Sequence, residues 1–262
     1  MTSIRHPNVA GMFYPADAHA LREEVSSYLH AAKGERIPTV KAIVAPHAGY
    51  RFSGPVAGSA YAQLAGQADS LSRVVLLGPS HRVPYRGLAY SDAETFLTPL
   101  GAVAVDRDAL QSLTDLSQVH ALEAPFEGEH CLEVQLPFLQ LILNSFSIVP
   151  LLVGEAAVEE VAEVVERLWG GDETLIVVSS DLSHYLNYEN AREIDAATTR
   201  AIEALRPQSI TYDQACGRNP LNGLLLAARR HALQVTTLDL RNSGDTAGTR
   251  DRVVGYGAYA FG

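Results

Sequence analysis

The sequence predicts an α/β fold: a mostly parallel central sheet with helices on both faces. Three observations carry this. Apolar runs of strand length alternate with helix-length amphipathic segments, the order that yields a parallel sheet covered on both sides. Three runs, over residues 40–45, 74–77 and 175–178, are apolar but for Lys41, as strands buried in a sheet are. The chain has 262 residues, 47% apolar and 19% charged, enough for one large domain over residues 1–262 and with no compositional sign of disorder.

The elements follow in order. Residues 5–16 read as an irregular arm. Asp17 is placed as the N-cap of a helix to about His30, with Leu21, Val25, Tyr28 and Leu29 on one face. A loop over 33–38 leads into the first strand, which stops at Pro46. Gly49 and Gly54 flank an expected turn, and Pro55 opens a small-residue helix over 56–64. A second strand covers 74–77, and further strands are expected at 85–90 and 101–105. Residues 115–129 are polar and irregular. Residues 131–143 have helical character, with Pro137 as a kink or a first-turn residue. After a strand at 147–153, residues 155–168 form an amphipathic helix with Val158, Val161, Val164, Val165 and Leu168 inward. A strand at 175–178 and a helix at 189–205 come next. Asn219-Pro220 has the N-cap plus first-turn proline pattern for a helix to about His231. Residues 234–240 and 252–261 alternate as closing strands.

Composition removes several function classes. The net charge is −10 with no Lys/Arg cluster, so nucleic-acid binding lacks its electrostatic footprint. No apolar stretch is long enough to cross a bilayer, and residues 1–7 lack the apolar segment of a signal peptide, so a cytoplasmic protein is expected. Cys131 and Cys216 are too few for a disulfide framework. There is no phosphate-binding loop, no dinucleotide fingerprint and no serine-hydrolase elbow.

The chemistry-bearing residues gather where strands end. His47 follows the first apolar run, His81 follows the second, and Asp181 and His184 follow the third. In open α/β sheets, ligands bind outside the carboxyl ends of the strands. Imidazole is a good ligand for iron, zinc or copper, and neighbouring strand ends would bring His47 and His81 together. The plain alternative is two separate loop histidines. Asp181 and His184 are spaced to share one face of a helical turn, as ligand, orienting group or acid/base pair, unless Asp181 merely caps a helix. Cys216 precedes a helix N-terminus, where the dipole and Arg218 favour a thiolate. Cys131 reads as a core residue. Glu129 and His130 are candidates for a supporting role, or simply residues of a helix start.

These residues lie in the motifs Ala10-Gly11-Met12-Phe13-Tyr14-Pro15, Pro46-His47-Ala48-Gly49-Tyr50, Gly78-Pro79-Ser80-His81, Glu129-His130, Ser179-Ser180-Asp181-Leu182-Ser183-His184-Tyr185 and Cys216-Gly217-Arg218. As an ordered set the chain resembles the Memo family, also called component B of the AmmeMemoRadiSam system. The resemblance implies a fold similar to class III extradiol dioxygenases, which use non-heme Fe2+. It also implies a metal site with His47, His81 and Cys216 as ligands and with Asp181 and His184 close by. Those dioxygenases complete two histidines with a carboxylate; here Cys216 takes that place.

The expected function is therefore a redox-active non-heme metalloprotein or metal-dependent oxidoreductase. Iron is the expected metal, with copper or zinc as alternatives, and His184 and Asp181 are the catalytic candidates. Glu129, His130, Tyr50, Tyr185 and Arg218 would support the metal or line a cleft for a small molecule or peptide. Two other readings stand beside it. One is a non-catalytic binding module acting with the radical SAM partner that the resemblance implies. The other is a zinc-dependent hydrolase.

Overall fold

The computed structural model describes residues 3–262. Its strands are β1 (Ile4–Arg5), β2 (Ala42–Ala45), β3 (Arg73–Pro79), β4 (Leu88–Tyr90), β5 (Thr95–Thr98), β6 (Gly101–Val105), β7 (Val119–Ala121), β8 (Ser147–Val153), β9 (Thr174–Ser179), β10 (His184–Leu186), β11 (Val235–Asn242) and β12 (Val253–Phe261). They join in one twelve-stranded sheet. Its centre runs β6-β8-β3-β9-β2, and every pairing there is parallel. Most marginal pairings are antiparallel: β12 closes on β2, β11 and β10 add to β12, β5 turns back on β6, and β4 adds to β8, while β1 on β5 and β7 on β4 are parallel.

Burial explains the division. Every residue of β2 and β9 is buried, as is nearly all of β3 and β8, so these strands read as unbroken apolar runs. In β5 burial alternates, which is the signature of a strand with one open face. That short pattern, in Thr95-Phe96-Leu97-Thr98, went unread in the sequence.

Helices cover both faces of the sheet: α1 (Ala18–His30), α2 (Tyr50–Tyr61), α3 (Arg107–Gln111), α4 (Leu136–Ile142), α5 (Val158–Arg167), α6 (Tyr188–Glu203), α7 (Arg218–Arg230) and α8 (Ser243–Thr246). Asp17 does cap α1, accepting from the Ala20 N–H at 2.9 Å. α5 buries Val161, Val164 and Val165 against α7, which in turn packs on β3 and β9.

Several local expectations need correction. There is no turn between Gly49 and Gly54; α2 begins at Tyr50 and carries Pro55 inside it. Gly54 serves helix packing instead. A Cβ there would come within 2.4 Å of the Tyr28 ring on α1, so the glycine lets the two helices meet. Asn219 is not an N-cap, because α7 starts at Arg218 after Gly217. Its side chain donates to the Gly154 carbonyl at 2.7 Å and ties α7 to the end of β8. The strand expected at 85–90 begins only at Leu88, and the irregular 115–129 segment contains β7. Pro137 sits in the first turn of α4, where its missing N–H costs nothing.

The N-terminal arm is pinned by one buried carboxylate. Glu133 accepts from the backbone N–H groups of Asn8 (2.6 Å) and Val9 (3.0 Å) and from the Tyr14 hydroxyl (2.6 Å). Burial pushes its carboxyl up, and these donors oppose that shift. The loop so fixed lays Met12 and Phe13 over the carboxyl ends of the central strands. Among the described residues no helix is long and apolar enough to cross a membrane.

Candidate metal centre

Three parallel strands deliver the floor of the site. His47 lies two residues beyond β2, His81 two beyond β3 and Asp181 two beyond β9. The expected adjacency of the two histidine strands is wrong, because β9 runs between β2 and β3. The rings meet above its end, where Ser179 and Ser180 are small. Their centroids lie 5.1 Å apart and the planes are nearly perpendicular at 80°. Cys216 arrives from the loop before α7 and places Sγ 3.2 Å from His47 Nε2. The donor atoms of His47, His81 and Cys216 all fall within 4.8 Å of one another.

Hydrogen bonds fix which ring nitrogens face this point. The Ser179 hydroxyl donates its one proton to the Cys131 carbonyl at 2.7 Å. Its lone pairs then accept from Gln135 Nε2 and from His47 Nδ1, each at 2.8 Å. His47 Nδ1 must therefore carry the proton, which leaves a lone pair on Nε2. Gln135 is itself completed by the Tyr61 hydroxyl at 2.8 Å and by the Pro46 carbonyl at 3.0 Å. Burial, with His81 and His130 beside it, holds the His47 imidazole well below its ordinary value, so it is neutral at pH 7.

His81 is oriented by a different device. Its Nδ1 donates to Glu129 Oε1 at 3.0 Å and its backbone N–H to Glu129 Oε2 at 2.8 Å. Glu129 also accepts from the N–H groups of His130 and Cys131. Burial works against the charge, yet the His81 ring and these backbone donors hold the carboxyl well below the usual carboxylate range. A carboxylate on the far nitrogen of an imidazole is the usual outer support of a metal-binding histidine. His130 stacks on His81 at 5.1 Å, and burial lowers it to about 4, so this ring too is neutral.

Cys216 departs from the expected thiolate. Burial and then the charge of Asp181 push its thiol up, and together they outweigh the helix N-terminus. Arg218 turns away, pairing with Glu155 and stacking on the Tyr212 ring at 3.6 Å. The next residue allows the loop to sit so deep. A Cβ on Gly217 would lie 2.7 Å from Ser180 Cβ and 2.8 Å from the Ser179 carbonyl. Gly217→Ala should push the loop off β9 and carry Sγ away from His47. The expected result is at least about a tenfold loss of metal affinity in a chelator competition, with a smaller change in unfolding midpoint.

Asp181 and His184 do not share a helical turn. Residues 181–183 are irregular, and His184 begins β10. Asp181 is buried and accepts from the His47 backbone N–H at 2.7 Å, so it holds the His47 loop instead of capping a helix. Burial raises its carboxyl to about 7, against the pull of that N–H. His184 is held below its ordinary value by burial. Both line an open cleft of about 730 Å³, together with His47, His81, His130, Phe13, Phe52, Tyr185 and Arg252. Tyr50 is not in this cleft: it is a core residue whose hydroxyl donates to the Val134 carbonyl at 2.6 Å. Cys131 is buried as expected.

Sequence reasoning missed Ser179, Gln135, Phe13 and Arg252. The first two had a signal. Gln135 is a lone amide in an apolar run, and Ser179 ends an apolar strand, so each needed a buried partner.

The comparisons with known proteins agree with this geometry at the level of family and fold. The family model described as Memo-like protein matches residues 5–260. A protein of Archaeoglobus fulgidus described as a MEMO1 family protein is 34% identical, over 98% of this chain and 99% of its own. One of Aeropyrum pernix with the same description is 36% identical, over 97% of this chain and 98% of its own. Among solved structures, an uncharacterized protein from Escherichia coli K12 matches with a TM-score of 0.51 at 13% identity, over 83% of this chain and 99% of that one. That last likeness concerns the fold alone.

Proposed function

The chain belongs to the Memo-like protein family, and from that premise we propose that it is a redox-active non-heme metalloprotein, a metal-dependent oxidoreductase in class. His47 Nε2, His81 Nε2 and the Cys216 sulfur are its ligands. The observation supporting this most is that three donor atoms from distant segments lie within 4.8 Å while both Nδ1 atoms are engaged elsewhere. The donor set fits the group: two imidazoles and one sulfur suit iron, copper or zinc and are poor for magnesium or calcium. Iron is the metal proposed first; when bound, iron or copper would supply one-electron redox chemistry at the base of the cleft.

The surrounding residues have defined work. Glu129 and Ser179 keep the imidazoles in one tautomer and one orientation. His184, neutral and facing the cleft, accepts a proton from a bound molecule. Asp181, near 7, exchanges a proton close to physiological pH. Phe13 and the pinned arm keep bulk water from one side. A cytoplasmic location remains part of this proposal.

Metal analysis of protein purified without added metal tests the reading. Wild type should carry near-stoichiometric metal, and His47→Ala should carry almost none; equal contents would defeat it. Glu129→Gln should weaken metal binding by about 10- to 100-fold, measured by chelator competition, because His81 loses its charged support.

A second reading has one observation in its favour. Met12 and Tyr185 at the mouth of the cleft are 73% and 63% exposed, more than large apolar side chains usually are. A binding module docking a radical SAM partner would use them. A pull-down lost in Tyr185→Ala, with no oxygen uptake by the protein, would favour it.

A further inference from the structure

The trio has a second opening, apart from the cleft. The cleft is lined by His47 and His81 but not by Cys216. Cys216 lines a separate pocket of about 390 Å³, and His81 is the member of the trio common to both. The trio thus stands as a partition. Asp181 and His184 share the cleft side with His47, and the sulfur belongs to the other side.

The walls of this pocket are held in place. Val83, Pro84, Val153 and Pro220 give it apolar sides. The Tyr85 ring is fixed by its hydroxyl, which donates to the Leu152 carbonyl at 2.6 Å. Asn219 donates to the Tyr212 hydroxyl at 3.3 Å, and that hydroxyl donates to Glu155 at 2.8 Å. Arg218, which the motif suggested for the metal, works here instead: it lies 3.6 Å over the Tyr212 ring and 3.4 Å from the Glu155 carboxylate. Tyr212 is nonetheless 55% exposed, so it marks the outer end of the pocket. A molecule entering there meets a soft donor, Cys216, at the inner end. Soft ions favour sulfur, so they are carried by thiols and passed from one sulfur to another. The apolar walls suit a small carbon skeleton, and Asn219 and Tyr212 offer hydrogen bonds to its polar end.

We propose that this pocket is the port through which the ion reaches and leaves the trio, handed to Cys216 by a small thiol, while the cleft stays free for another molecule. This rests on the trio being a metal centre. The exchange changes no oxidation state. The bond from Cys216 to the ion forms as the carrier's bond to it breaks, and the carrier sulfur takes up the proton that Cys216 gives up.

Three variants of the full chain test the port. Val83→Trp narrows the pocket, Tyr212→Ala widens its outer end, and Val254→Trp narrows the cleft as a control. In metal-stripped protein, alkylation of Cys216 by iodoacetamide is followed by mass spectrometry, which separates it from Cys131. The rate should fall about tenfold in Val83→Trp, rise at least about twofold in Tyr212→Ala and stay within about twofold of wild type in Val254→Trp. Transfer of copper(I) from its glutathione complex, and its release to a chelator, should follow the same order with affinity unchanged. The two pocket variants act in opposite directions, so Tyr212→Ala decides the matter if Val83→Trp fails to fold. Rates that respond to Val254→Trp alone, or that ignore both pocket variants, overturn the proposal. So does copper transfer that ignores them while alkylation responds. Alkylation needs no metal, so the two readings fail in different ways: wild type that takes up no metal defeats the metal centre, whereas normal uptake with unaltered rates defeats only the port.

Discussion

Cys216→Ser is expected to lower the affinity for iron or copper by more than about a hundredfold while leaving the fold in place. The sulfur is the one soft donor of the trio, and a serine hydroxyl at neutral pH is a far poorer ligand than a thiolate. The same geometry predicts the pH behaviour. In the metal-free protein, burial and the nearby Asp181 keep the thiol protonated, so a metal must displace that proton to bind. Wild-type affinity should therefore rise by up to about tenfold for each pH unit across the neutral range, and Cys216→Ser should lose that part of the slope. Chelator competition at several pH values measures both effects. Equal affinities, or slopes that coincide, would remove Cys216 from the centre.

Gln135→Leu should be the most destabilising single change near the site. The leucine matches in bulk, but the amide is fully buried and joins three groups. Its loss leaves the Tyr61 hydroxyl, the Pro46 carbonyl and one Ser179 lone pair without partners. Each buried unmet polar group costs about 1–3 kcal/mol, so a loss of about 3 kcal/mol or more in urea unfolding is expected. Loosening Ser179 also frees the His47 ring, so metal affinity should fall as well, although Gln135 touches no ligand atom. A change of less than about 0.5 kcal/mol would show that the network carries no stability.

Much of the fold was legible because buried parallel strands leave an unmistakable trace. The strands ending at Ala45, Pro79 and Ser179 have apolar interiors, and each is followed at the same short distance by His47, His81 or Asp181. Elements at the margins were harder. β5 is four residues long with one open face, and Gly54 resembles a turn residue although its role is helix contact. Strand order was invisible too, since nothing local says that β9 comes between β2 and β3. The trio was nameable only through the family pattern. Its tautomers, the low-charge setting of Cys216 and the outward swing of Arg218 depend on distant neighbours, up to 169 positions away, as with Asp181–Cys216, 35 apart, and His47–Cys216, 169 apart. Tyr50 shows the same limit: its motif sits at the site, but its ring faces the core.

The scatter of these ligands along the chain has a consequence for biogenesis. Positions 47, 81 and 216 must all be docked before an ion meets its three donors, so a nascent chain emerging from the ribosome lacks the complete donor set until α7 has packed. Assembly dominated by such distant pairings is slow. Loading must then follow folding, and in the interval the half-made pocket exposes two imidazoles to whichever abundant ion diffuses in first.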